Sequence, residues 1–290
     1  MIRIDIHKKL GPKDGGINLD LNLEIKEGQI ATFYGESGAG KTSTLRILAG
    51  LLAPDDGEII VKDRIWFSKK KKINISPQKR SIGFVFQDYA LFPHLTVRQN
   101  LEFVTKTRRN DLIEDLITLM DLKGFQKQKP ETLSGGQKQR TALARALVQQ
   151  PEILLLDEPL TALDSKTRLK LQDYLLEAHK KFGMTTLLVS HDLGEIHKLS
   201  NQVFVLDKGR VSQQGSPDKI FIQQQISGKF KFTGEVLHIV KEDVVYIVSV
   251  IIQQQVIKVV AQESEVSNLK VGDKVIVASK AFNPIIYKIG

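Results

Sequence analysis

The stretch "QIATFYGESGAGKTSTLRILAG", Gln29–Gly50, decides the fold. It opens as a short apolar strand and breaks at Gly35. It resumes from Lys41 with the spacing of a helix. Between the two lie Gly35, four residues, Gly40, Lys41 and Thr42, the phosphate-loop pattern in the strand–loop–helix context that the pattern demands. Glycines let the backbone wrap round a polyphosphate with its amides inward, and the helix N-terminus adds partial positive charge. Lys41 would supply a full charge at the terminal phosphates and the Thr42 hydroxyl can ligate Mg²⁺. Glu36, Ser37, Gly38, Ala39 and Ser43 complete the expected nucleotide-binding set.

Working outward, "ILLLDEP" (Ile153–Pro159) is apolar throughout, as a strand covered on both faces must be. It delivers Asp157 to its end, placed to hold Mg²⁺, and Glu158 next to it, placed to polarise a water. "TTLLVSH" (Thr185–His191) is a second buried strand. Helical patterns cover "TVRQNLEFV", "NDLIEDLITLMDL", "GQKQRTALARALVQQ" and "SKTRLKLQDYLLEAHKKF". Buried strands alternating with helices predict an α/β fold wound around a parallel sheet. Residues 2–33 alternate as strands, and "QVFVLDKGRVSQQG" reads as a hairpin. After Gly215 the character changes. From about Gly228 four strand patterns make a small all-β module, so the expected division is 1–226 and 227–290, with a helical subdomain at about 90–150.

Composition narrows the rest. The 290 residues carry a net charge of +9, +7 of it before residue 227, so the excess is not one patch. The densest run, Lys69–Lys72 with Lys79 and Arg80, lacks interleaved aromatics and reads as a solvated hairpin tip rather than a nucleic-acid surface. No apolar run approaches the roughly 18 residues of a membrane-spanning helix, and the start alternates like a strand. A soluble, cytoplasmic chain is expected. The absence of cysteine excludes disulfides and thiolate metal sites. His191, beside Asp192 at a strand end, is the histidine with a functional setting; His7, His94, His179, His197 and His238 are read as surface residues.

One more stretch completes a constellation. "LSGGQKQR" (Leu133–Arg140) exposes a hydroxyl and backbone amides at a second helix start, with Ser134 as its cap. The phosphate loop, Gln87 after an apolar strand, "LSGGQ", "LLLDEP", "TALD" and "VSH" follow in that order, and over about residues 1–215 the chain resembles the ATP-binding subunits of ABC transporters. The resemblance implies a P-loop NTPase of ABC type, with a mixed sheet, an antiparallel β-subdomain and a helical subdomain. It implies an ATPase using ATP and Mg²⁺ and working as a homodimer. Ser134, Gly135, Gly136 and Gln137 of one subunit would close over ATP bound to the other. Glu158 would be the catalytic base and His191 would orient it at the γ-phosphate. Gln87 would contact Mg²⁺ and the attacking water, Thr42 and Asp157 would hold Mg²⁺, and Asp164 would cross the dimer interface. Where the family stacks adenine on an aromatic residue, this sequence offers Leu10.

The implied partners are integral-membrane permease subunits and, indirectly, a periplasmic or extracellular substrate-binding protein, with no nucleic acid. The implied place is peripheral, on the cytoplasmic face of the membrane. The single short tail ending "LKVGDKVIVASKAFNPIIYKI" looks most like ModC-type molybdate/tungstate importers with a Mop/TOBE-like, OB-like β-barrel. That gives Ser279, Lys280 and Ala281 as oxyanion candidates, with Ser264 and Ser227 behind them. The alternatives are a sulfate- or sugar-class importer ATPase and a soluble ABC-type regulator without a permease.

Overall fold

Alternation builds the first strand pair. In β1 (Ile2–Lys9) Ile2, Ile4 and Ile6 are buried while Arg3, Asp5 and His7 face solvent, and β2 (Asn18–Ile25) runs antiparallel to it with Leu23 opposite Ile4. The computed structural model describes residues 1–11, 16–105, 110–160, 165–221, 230–242, 245–253 and 255–279. The chain divides into two compact units, Met1–Gln223 and Gln224–Gly290.

The first unit continues with β3 (Ile30–Tyr34), α1 (Lys41–Ala49), β4 (Asp56–Val61), β5 (Arg64–Ser68), β6 (Ile73–Asn74) and β7 (Ile82–Val85). Then come α2 (Val97–Phe103), α3 (Asn110–Leu119), α4 (Gly135–Leu147), β8 (Ile153–Asp157), α5 (Ser165–Phe182), β9 (Thr185–Val189) and α6 (Leu193–Leu199). The hairpin β10 (Gln202–Asp207) and β11 (Arg210–Gly215) and the short α7 (Pro217–Phe221) close the unit. The strands form one sheet in the order β6-β5-β4-β1-β2-β11-β10-β3-β9-β8-β7. The run from β10 to β7 is parallel. The run from β2 to β6 is antiparallel. The sheet is therefore mixed.

β8 shows why its sequence is apolar throughout. Ile153 and Leu155 pack into the core shared with α1 and β1, β2 and β4, while Leu154 and Leu156 pack into a second core with α2, α3, α4 and α5. Both faces are covered, so alternation disappears. The parallel register brings the carboxyl ends of β3, β7, β8 and β9 to one edge: Val189 lies opposite both Asp157 and Phe33, and Val85 lies opposite Leu156. That edge is where ligands bind in such sheets.

Two expectations for the first unit are corrected. Leu10 is 3% exposed and belongs to the apolar core, so it offers no face for a nucleobase. Its side chain is apolar and has a core within reach, so burial decides its direction. His179 is half-buried rather than freely exposed. Its ring lies between the Thr186 hydroxyl at 3.1 Å and the Gly28 carbonyl at 3.2 Å, and burial holds its pKa below the usual histidine value.

The second unit contains β12 (Phe230–Glu242), β13 (Val245–Ile252), β14 (Gln255–Ala261), α8 (Glu263–Val266) and β15 (Lys274–Ser279). The sheet order is β14-β13-β12-β15, all antiparallel. Val236, Val248, Val250, Ala261 and Val266 form its core. Among the described residues β14 and β15 remain at opposite edges and no pairing closes a barrel. Ser279 ends β15 and Ser264 lies in α8, whereas Ser227, Lys280 and Ala281 lie outside the described residues.

Candidate functional site

The loop between β3 and α1 is shaped by its glycines. A side chain at Gly35 would run into the Leu206 carbonyl of β10. Gly40, the residue before α1, has φ 97°, and a Cβ there would stand 2.6 Å from Leu19 Cδ1. Only glycine fits both the left-handed backbone and the close approach. Glu36, Ser37 and Gly38 are exposed at the loop tip, while Ala39, Gly40 and Ser43 are buried at its base. Gly50 ends α1 in the left-handed conformation, its amide bonded back to the last turn.

Lys41 is 8% exposed, and its ammonium donates to the Gly35 and Glu36 carbonyls, both at 2.7 Å. Burial lowers its pKa, opposed by the nearby charges of Glu158 and Asp157. Thr42 donates its hydroxyl to Asp157 at 2.9 Å. Asp157 is 5% exposed, and burial raises its pKa against the Thr42 hydrogen bond, with Glu158 adding to the rise. A buried carboxylate of this kind beside a hydroxyl, with one lysine near, is a hard oxygen pair suited to Mg²⁺, which binds through one or two protein oxygens plus substrate phosphates. Among the described residues no cluster of three or more His, Asp or Glu can hold a metal alone. The residues present thus fit a cation that arrives with a polyphosphate.

Glu158 follows Asp157 with φ 47°, a left-handed conformation that costs a non-glycine residue about 1–2 kcal/mol. Its amide donates to the Val189 carbonyl at 3.1 Å, which ties the turn after β8 to the end of β9. His191, exposed after β9, places Nδ1 3.9 Å from a Glu158 carboxylate oxygen. Gln87 is exposed in the turn after β7, and its side chain makes no hydrogen bond among the described residues. The structure therefore brings together Lys41, Thr42, Asp157, Glu158 and His191 on one edge. Asp164 lies outside the described residues.

Ser134 caps α4 in a reciprocal box. Its amide donates to Gln137 Oε1 at 2.8 Å and its hydroxyl accepts from the Gln137 amide at 3.4 Å. Ser134 and Gly135 are exposed, so this helix start faces outward; Gly136 is buried, and a Cβ there would meet Thr167 Cγ2 at 2.8 Å.

Sequence reading missed three residues that hold the site in place. Arg145 of α4, 9% exposed, donates to the Ala90 carbonyl at 2.6 Å and the Tyr89 carbonyl at 3.0 Å and lies 5.2 Å from the Phe92 ring centre. It thereby fixes the turn that carries Gln87, where Tyr89 and Ala90 have φ 63° and 43°. Ser190 and Glu195 hydrogen-bond beneath His191 at 2.7 Å. The signal available for them was Asp192-x-x-Glu195, a helix-start pattern; Asp192 does cap α6, accepting from the Glu195 amide at 2.9 Å.

A family model described as ABC transporter matches residues 19–161. The sulfate/thiosulfate import ATP-binding protein of Halalkalibacterium halodurans is 40% identical over 227 residues, 75% of this chain and 62% of that protein. The probable sulfate/thiosulfate import ATP-binding protein of Chlorella vulgaris is 44% identical over 206 residues, 69% of this chain and 85% of that protein. The spermidine/putrescine import ATP-binding protein of Clostridium novyi is 42% identical over 221 residues, 74% of this chain and 62% of that protein. The match thus spans less than two thirds of two of these relatives. Among solved structures, a dimeric ATP-binding cassette in a post-hydrolysis state with ADP and Pi superposes with TM-score 0.63 at 30% identity, covering 75% of this chain and 99% of that one. A component of an ABC transporter complex of Clostridium perfringens superposes with TM-score 0.66 at 28% identity, covering 77% of this chain and 91% of that one.

Proposed function

The chain belongs to the ABC transporter ATP-binding family, and from that premise we propose that it is a Mg²⁺-dependent ATPase subunit that powers an importer through separate membrane permease subunits. The observation that carries this reading is the Thr42–Asp157 hydrogen bond, which joins the phosphate loop to the acidic end of β8. In this reading the loop amides receive the phosphates, and the Lys41 ammonium exchanges the Gly35 and Glu36 carbonyls for phosphate oxygens. Thr42 and Asp157 hold Mg²⁺, which when bound neutralises charge on the phosphates. Glu158 accepts a proton from the water that attacks the γ-phosphorus, and the bond from that phosphorus to the ADP oxygen breaks. His191 steadies Glu158 and the γ-phosphate. Ser134 and Gly135, exposed at the start of α4, act together with Gly136 on nucleotide bound to a second copy.

No helix among the described residues is long and apolar enough to cross a membrane. A peripheral place on the cytoplasmic face, against the permease, accords with this reading. For cargo we propose the sulfate/thiosulfate class, since the most fully covered of these relatives, at 85% of its length, carries that name. A polyamine cargo is the second reading, supported by 42% identity to the Clostridium novyi protein. These relatives do not support the molybdate/tungstate expectation, which sulfate/thiosulfate replaces.

The test is turnover with Mg-ATP for the wild type and Glu158→Gln. The variant is expected to lose hydrolysis by about 10²-fold or more and to run as an ATP-bound dimer on gel filtration. A monomer with undiminished turnover would overturn the reading. Co-expression with sulfate-type or polyamine-type permeases, read as cargo-stimulated hydrolysis, separates the two cargoes.

A further inference from the structure

Glu195 is 4% exposed in the first turn of α6. The Ser190 hydroxyl donates to its Oε2 at 2.7 Å, and the same hydroxyl oxygen accepts from the Asp192 amide at 3.1 Å. Its other oxygen, Oε1, is buried without a hydrogen-bond partner among the described residues. Glu195 lines a cavity of about 160 Å³ with Glu158, Arg168, Ser190, His191 and Asp192. A buried carboxylate with an unfilled acceptor is costly to keep. The helix start does not need it, because Asp192 already serves as cap through its own side chain. The carboxylate is thus tied to one neighbour above all, the residue that precedes His191.

We propose that Glu195 is a positioning residue for ATP hydrolysis: acting through the Ser190 hydroxyl, it fixes the Ser190–Asp192 turn that carries His191 beside Glu158. The proposal rests on the ATPase reading. When Glu195 is ionised it accepts the Ser190 proton, which leaves a Ser190 lone pair aimed at the Asp192 amide and locks the turn. When Glu195 is protonated at Oε2, its O–H donates to the Ser190 oxygen in competition with the Asp192 amide, and the turn loosens. Burial pushes this carboxyl up to about 7, so both states lie within the working range. The groups facing it take opposite sides: Asp192, at the cap of α6, and Glu158, after β8, oppose its ionisation, and Arg168 of α5 favours it.

The test measures kcat and KM for Mg-ATP with the full chain, over roughly pH 6–9. The wild type is expected to lose kcat on the acid side with a midpoint near 7. Glu195→Gln keeps an acceptor for Ser190 but cannot titrate, so it should retain turnover and lose that acid limb. Ser190→Ala should lower kcat about ten-fold or more with KM little changed, since misplacing a catalytic group slows the chemical step. Combining the two should cost no more than Ser190→Ala alone. An unchanged acid limb in Glu195→Gln, or full kcat in Ser190→Ala, overturns the proposal while leaving the ATPase reading intact. A wild type that does not hydrolyse Mg-ATP at any pH overturns both.

Discussion

The Thr42 hydroxyl donates to Asp157 at 2.9 Å across 115 residues of chain. The bond joins the first turn of α1 to the last residue of β8, two segments whose sequences carry separate halves of one chemistry. It also stabilises a carboxylate that burial makes expensive to ionise.

Asp157→Asn tests that balance. The asparagine still accepts from Thr42 but carries no buried charge. Because the folded-state pKa of Asp157 is raised, the ionised acid weighs against the fold at neutral pH, and removing it should leave the nucleotide-free protein at least as stable. Ligand-linked stability should move the other way. At Mg-ATP concentrations about 100 times the wild-type Kd the wild type gains about 2.7 kcal/mol, and the variant should gain much less. Calorimetry with and without Mg-ATP reads both. An equal gain in the two proteins removes Asp157 from the cation site.

Arg145→Lys tests the tie between α4 and the turn that carries Gln87. The guanidinium reaches two carbonyls at once, at 2.6 and 3.0 Å, and lies over Phe92. An ammonium cannot reproduce that planar fork. The substitution should cost about 2 kcal/mol, the scale of one charge-assisted hydrogen bond left unmade. It should also speed amide hydrogen exchange in the turn around Tyr89 and Ala90 ahead of the rest of the unit. Wild-type stability and exchange in the variant would show that the tie is incidental.

What the sequence made legible was local. The phosphate loop follows from glycine spacing between a strand and a helix, the covered strand β8 from its unbroken apolar run, and the cap of α4 from Ser134 and Gln137 three residues apart. What stayed hidden depends on approach between distant segments. Arg145 finds carbonyls 55 and 56 residues away. His179 reaches Gly28 across 151 residues. The position of Leu10 in the chain suggests a ligand-facing place, but burial decides its direction. In the second unit alternation predicts strands, yet periodicity says nothing about which edges meet; the barrel came from the resemblance of the tail, and among the described residues the four strands pair as a sheet in the order β14-β13-β12-β15.

Gly136 joins a steric role to the proposed clamp, and a second substitution separates them. A methyl group at Gly136 would press on Thr167 Cγ2 at 2.8 Å. Gly136→Ala should therefore destabilise the α4–α5 contact by about 1–3 kcal/mol, the usual cost of overpacking. Thr167→Ser removes the opposing methyl and should restore stability. If Gly136 also approaches a partner's nucleotide, the double variant should still fail to hydrolyse ATP while binding it. Recovery of stability and turnover together would reduce Gly136 to a packing residue.

Glu195→Gln carries a stability prediction with a definite sign. A carboxyl raised from 4.5 to about 7 binds its proton more tightly in the folded state, so its favourable contribution is complete below 4.5 and is lost as pH rises towards 7. The penalty at pH 8 is on the order of 3 kcal/mol, since each tenfold tightening of proton binding is worth about 1.36 kcal/mol. Glutamine escapes it. The variant should match the wild type near pH 4 and exceed it at pH 8 by up to that amount. Trp66, the one tryptophan of the chain and 3% exposed in the first unit, reports urea unfolding of that unit without interference from the second. A residue whose removal stabilises the fold yet frees His191 from pH control is kept for positioning rather than for folding. Equal stability of the two proteins at pH 8 would mean that water entering the cavity already satisfies the carboxylate, and that its second oxygen carries no desolvation penalty.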